Sequence, residues 1–325
     1  MTGTSGARVW FVGLGTRNAR TGTGCLLAAL AGVAVAWVLA APHGPDAAAA
    51  IRVLADVLGS TVLGLCVLDL LQRGDRRPTV PRSRLWRPLA VAAGAWAVTE
   101  AALLVLAAAD TTDVATGALS PSAFGRFVTQ ISVGRLGAAA IVCTAALAAV
   151  AAVAYRRGAQ WSPTPFAAVA ALALLARPVT GHMSAQTFGS VLVAAHVLAA
   201  ALWLGPLVAM ALLLRGRGAW ATLLPRYSDL VWKCVAVLAV TGVVDAAVAL
   251  DGVSALVTTG YGRILLAKAA GLAGLITLGW WWRRTWVPAA AAHRTTELDS
   301  LRRATVEVAA LAALFGLAAA LATTG

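Results

Sequence analysis

Gly181-His182-Met183-Ser184-Ala185-Gln186-Thr187-Phe188-Gly189-Ser190-Val191-Leu192-Val193-Ala194-Ala195-His196-Val197-Leu198-Ala199-Ala200-Ala201-Leu202-Trp203-Leu204-Gly205-Pro206-Leu207-Val208-Ala209-Met210 is the stretch that decides the fold. It opens as a polar turn carrying His182 and Met183. It continues as an apolar run, 190–214, with no Asp, Glu, Lys or Arg and a single histidine, His196. About 20 apolar residues in a row suffice to cross a bilayer as a helix. The rest of the chain has the same character. Its 325 residues are 60% hydrophobic and 12% charged, with a mean hydropathy of +0.82, where soluble domains carry about 25% charged residues. These values specify an all-α polytopic membrane protein.

Nine runs are apolar and long enough to span: 24–41, 51–71, 88–109, 131–154, 163–180, 190–214, 230–250, 262–282 and 304–322. The first and fifth are short, and a re-entrant course is open for both. The first is read as a span rather than a cleaved leader. The net charge of +13 would suit a polyanion if it were gathered in one domain. Instead it is distributed as topology requires. With the N-terminus inside and the C-terminus outside, 20 of the 26 Lys and Arg fall on the cytoplasmic side and five outside, Lys268 lying within a span. The expected organisation is a cytoplasmic tail, 1–23, and one helical membrane domain, 24–322. No nucleic-acid partner is expected.

Tryptophan follows the same pattern. Trp86, Trp161, Trp220, Trp232, Trp280, Trp281, Trp282 and Trp286 fall at the inner ends of spans and read as interface anchors. Trp96 and Trp203 lie mid-span, where packing is the simpler role. Cys25, Cys66, Cys143 and Cys234 are far apart and without metal-finger spacing.

Ionisable groups within spans are costly and face the bundle interior or a cavity. At 1.5 Å per residue, His196, Asp245 and Lys268 each lie roughly 8–9 Å below the outer surface. Asp56 and Glu100 share that outer layer, while Asp69 and Glu307 lie near the inner face. Glu100, Trp203, Met210, Asp245, Lys268 and Glu307 either line a transport path or serve structural ends. Asp245 and Lys268 can neutralise each other between adjacent helices. Glu307 can complement the dipole at the start of the last helix. His196, Trp203 and Met210 recur every seven residues and share one helix face. Cys234, Thr241 and Asp245 share a face of the next helix, an expected antiparallel neighbour. Imidazole with thioether suits copper, and Met favours Cu(I). The expected metal ligands are therefore His182, Met183 and His196.

At these residues the chain resembles the copper resistance protein D (CopD) family of bacterial inner-membrane proteins, over about 180–322. Thr180-Gly181-His182 and His196 with Ala201-Leu202-Trp203-Leu204-Gly205 are similar to its histidine-bearing outer turn and following helix. Arg226-Tyr227-Ser228 and Thr241-Gly242-Val243-Val244 resemble its next helix. Thr259-Gly260-Tyr261-Gly262-Arg263-Ile264-Leu265-Leu266-Ala267-Lys268 is the most specific piece, and Leu301-Arg302-Arg303 with Val306-Glu307 resembles the last helix. Asp245 stands where Asn is common, and Trp281-Trp282-Arg283 where an Asn-Arg pair is often seen. Residues 1–160 match only in style. The resemblance implies copper as the ion handled, usually by uptake across the plasma membrane. It implies as partners an extracytoplasmic copper-binding protein or a cytochrome oxidase assembly factor.

Two other functions remain open from the residues. A haem-binding electron-transfer protein would need two histidines, and His182 with His196 is the one pair placed for it. A copper-delivery factor for oxidase assembly would bind the ion without moving it. No nucleotide-binding loop, nucleophile elbow or HExxH sequence is present, and no enzymatic activity is expected.

Overall fold

The computed structural model describes residues 5–42, 44–178, 189–249 and 254–324. Every regular element among them is helical. The long helices are α1 (Ser5–Ala40), α2 (Ala48–Leu71), α3 (Ser83–Thr111), α5 (Ser132–Arg156), α7 (Gly189–Leu213), α8 (Arg217–Ala249), α10 (Gly260–Ala291) and α11 (Glu297–Leu321). All eight contain a stretch long and apolar enough to cross a membrane. Between them lie the short helices α4 (Pro121–Gln130), α6 (Phe166–Leu175) and α9 (Ala255–Thr258).

Each of the nine apolar runs is thus a helix, and the fifth is the exception in length. Helix α6 has 10 residues, about 15 Å, against a hydrocarbon core of about 30 Å. Proline sets both limits. Pro163 and Pro165 precede the helix, and Pro178 disfavours helical geometry at Arg177 before it. Its flanks nevertheless cover distance. Ser162 and Thr164 donate hydrogen bonds to Asp69 at one end of α2. Arg177, just past α6, bonds Asp56 near the other end. Asp56 and Asp69 are 13 residues apart on one helix, about 20 Å. The fifth run therefore passes from one end of the bundle toward the other.

Helix α2 is the axis of the bundle, buried along most of its length and packed on α1, α3, α6, α7 and α11. Its closest approach is to α7. A side chain on Gly64 would strike the Gly205 carbonyl, and one on Gly205 would strike the Ser60 carbonyl. Without lipid-excluding hydrophobic force between helices, such backbone contact is what holds them. One flank of this pair is α3, α5 and α6, with a core around Trp96, Leu103, Leu147 and Leu174. The other is α1, α8, α10 and α11, where Leu207, Trp220, Leu275 and Leu311 share the largest cluster.

Two expectations change. Helices α8, α10 and α11 run well past their apolar cores, because a helix satisfies its own backbone and need not stop at the interface. Tryptophans at those ends are therefore not all anchors. Trp86, Trp220 and Trp286 are buried, whereas Trp161, Trp232, Trp280 and Trp281 remain exposed. The rings of Trp220 and Trp286 pack 6.0 Å apart, and Trp86 donates its indole N–H to the Ala159 carbonyl at 3.1 Å. The early start of α11 also removes Glu307 from a capping role. Thr296 caps that helix by accepting from the Asp299 N–H at 3.1 Å, with Glu297 and Asp299 in the first turn. Glu307 lies almost three turns further in.

Candidate functional site

The carboxylates of Asp56 and Glu100 assemble around a guanidinium. Arg177 Nε donates to Glu100 Oε2 at 3.1 Å and its Nη2 to Glu100 Oε1 at 2.9 Å. The same Nη2 reaches Asp56 Oδ1 at 3.1 Å. Trp96, one turn before Glu100 on α3, adds its indole N–H to Oε1 at 2.8 Å. Glu100 is buried at 2% side-chain exposure, and a carboxylate with these donors is largely satisfied where it stands. It fastens α3 to the segment after α6. The sequence marks Arg177 only as one outer charge; its partners are helices distant in the chain.

His196 lies apart from that cluster. Its half-buried ring faces α8, where Nδ1 is 2.8 Å from the Thr241 hydroxyl. His182 and Met183 lie outside the described residues, as does the side chain of Asp245. The expected three-ligand set and the Asp245–Lys268 pair therefore have no geometry here. Among the described residues no three His, Cys, Asp or Glu side chains gather as for a metal ion. Met210 lies 14 residues beyond His196 on α7, about 21 Å, and is wholly enclosed in the apolar core.

The third residue of that stripe leads elsewhere. Trp203 donates its indole N–H to Glu307 Oε1 at 2.9 Å, and its carbonyl accepts from the Tyr227 hydroxyl at 3.0 Å. Glu307 also lines a narrow cleft of about 40 Å³ between α8 and α10, walled by Trp232, Trp280, Trp282 and Trp286. No cation contacts it among the described residues.

At the Asp69 end the chain is tied by polar contacts. Asp69, buried at the end of α2, pairs with Arg82 at 3.0 Å and receives the Ser162 and Thr164 hydroxyls. Arg226 on α8 makes a two-pronged contact with Asp75, both arms at 2.8 Å, which holds the Asp75 carboxyl below its usual value. The most specific sequence piece has a similar structural duty. Thr259 caps α10 through the Gly262 N–H at 2.9 Å, and Arg263 donates to the Leu39 and Ala41 carbonyls at the end of α1.

Apolar helices of this number around a few buried charges define a multi-pass helical membrane protein. The family model for Copper resistance protein D matches residues 221–321. That for the Copper resistance protein D-like, N-terminal domain matches 41–187. The chain belongs to the copper resistance protein D family, a membrane copper-handling family. It is a protein of the plasma (inner) membrane with a role in copper resistance or handling. The matches divide as the helices do: the second takes in α2 through α6, the first most of α8 through α11. No curated protein and no solved structure matches the chain.

Proposed function

We propose that this protein carries copper inward across the membrane, with His196 as its first ligand within the lipid. His182 and Met183, which precede α7 in the chain, would receive the ion from the outer solution or a copper-binding partner. The observation that supports this reading is the setting of His196. One ring nitrogen is engaged by Thr241, and the other makes no hydrogen bond among the described residues. The thioether of Met183 suits Cu(I) as the form carried.

The test is copper accumulation in cells and copper content of purified protein, wild type beside His196→Leu. Leucine keeps α7 apolar and removes its imidazole. The variant is expected to insert normally and to lose most bound copper and most uptake. Uptake and content equal to wild type would end the proposal. Copper bound without any flux in the wild type would replace transport with delivery, and a haem absorbance band in the purified protein would replace both.

A further inference from the structure

The Thr241 hydroxyl has one proton, and a carbonyl of its own helix is placed to accept it. Thr241 Oγ1 donates to the Val237 carbonyl one turn back on α8, at 2.7 Å, with the Leu238 carbonyl at 3.5 Å. This back-bond is what a threonine in an apolar helix makes when no water is at hand. An oxygen whose proton is committed can only accept from a further neighbour. With the hydroxyl proton in that back-bond, His196 Nδ1, 2.8 Å away, acts as the donor. A neutral imidazole carries one N–H, so its lone pair is on Nε2.

We propose that Thr241 is a positioning residue for copper: it holds His196 as the Nδ1–H tautomer and presents Nε2 as the ligating atom. The inference rests on the reading of His196 as a copper ligand. A hydrogen bond to the non-ligating nitrogen is the device that orients metal-bound histidines in general and raises their basicity, and its loss typically lowers affinity about 10–100-fold. The device needs no charge. That suits this depth, where a carboxylate in the same place would itself need compensation. It also gives α8 a part in the site although Thr241 never touches the ion.

The experiment uses the full chain in lipid nanodiscs with ¹⁵N-labelled histidine. The His196 ring signals are assigned by their loss in His196→Leu. Wild type is expected to show a protonated Nδ1 and an unprotonated Nε2. Thr241→Val, nearly the same shape, should lose the single tautomer and bind Cu(I) about 10–100-fold more weakly in a chelator competition. Thr241→Ser restores the hydroxyl and should restore both readouts. A wild-type ring protonated at Nε2, or a tautomer unchanged in Thr241→Val, overturns the positioning role while leaving copper transport open. Undiminished Cu(I) binding by His196→Leu overturns the copper reading itself, whatever the tautomer.

Discussion

Trp96 and Trp203 each donate an indole N–H to a buried glutamate, yet the two glutamates stand in opposite electrostatic settings. Glu100 receives Trp96 and both arms of Arg177. Glu307 receives Trp203, meets no cation among the described residues and lines a cleft. Taking a carboxylate out of water costs several kcal/mol, which an opposite charge in good geometry offsets. Around Glu100 that offset is present, and the group works as a fastening between α3 and the end of α6. Around Glu307 it is absent, so the group stabilises little beyond one hydrogen bond. A buried polar group that adds little stability but borders open space is better placed to meet a ligand or a proton than to hold helices.

The sharpest way to break the comparison is Arg177→Met. It leaves Glu100 and Asp56 close together without their guanidinium, and losing one partner of a buried pair costs about 3–5 kcal/mol. The yield of monodisperse protein and its tryptophan-fluorescence melting temperature should both fall well below wild type. Adding Glu100→Gln to Arg177→Met removes one orphaned charge and should recover part of the loss. Equal melting of wild type and Arg177→Met would show that the Arg177 cluster fastens nothing.

The Trp203–Glu307 pair should respond far less. In Glu307→Gln the amide oxygen can still accept from Trp203, so the stability change should stay within about 1 kcal/mol. Glu100→Gln weakens a charge-assisted contact and should melt lower than Glu307→Gln under the same conditions. If Glu307→Gln is the less stable of the two, the Glu307 carboxylate is also a fastening and the contrast is lost.

The two regions were not equally legible. The apolar runs could be read because lipid obliges a helix to present apolar side chains along its length. The run 163–180 reads as a span, although Pro163, Pro165 and Pro178 leave a helix of only 10 residues within it. Trp96 and Glu100 stand four apart, a spacing that puts them on one helix face. Arg177 could be counted but not placed, since its partners are 77 and 121 residues away in the chain. The burial of Trp220 and Trp286 depends on helices that outrun their hydropathy, and that of Trp86 on the segment between α5 and α6, neither of which hydropathy can report. The resemblance read over about 180–322 is matched by the family model over 221–321; His196 and its helix fall between the two matches. The match over 41–187 falls on Ala-, Val- and Leu-rich helices, which offer no short motif to read.

The smallest expected effect is at the membrane edge, between Asp75 and Arg226. Their two-pronged geometry is good, but Arg226 is 39% exposed, and pairs in contact with water contribute about 0.2–1 kcal/mol. Arg226 also donates to the Leu71 carbonyl at 2.8 Å, a contact that survives when Asp75 is replaced. Asp75→Asn should therefore lower the melting temperature only slightly at pH 7. The pH dependence carries the sign. The hydrogen bonds from Arg226 hold the Asp75 carboxyl below its usual value, so its stabilisation is complete above the unfolded value, about 3.9. It is lost as pH falls through the lower folded value. Melting curves of wild type and Asp75→Asn should differ at pH 7 and converge as the solution is taken well below pH 4. A gap that stays constant down to that acidity would assign the effect of Asp75 to loop packing rather than to its charge.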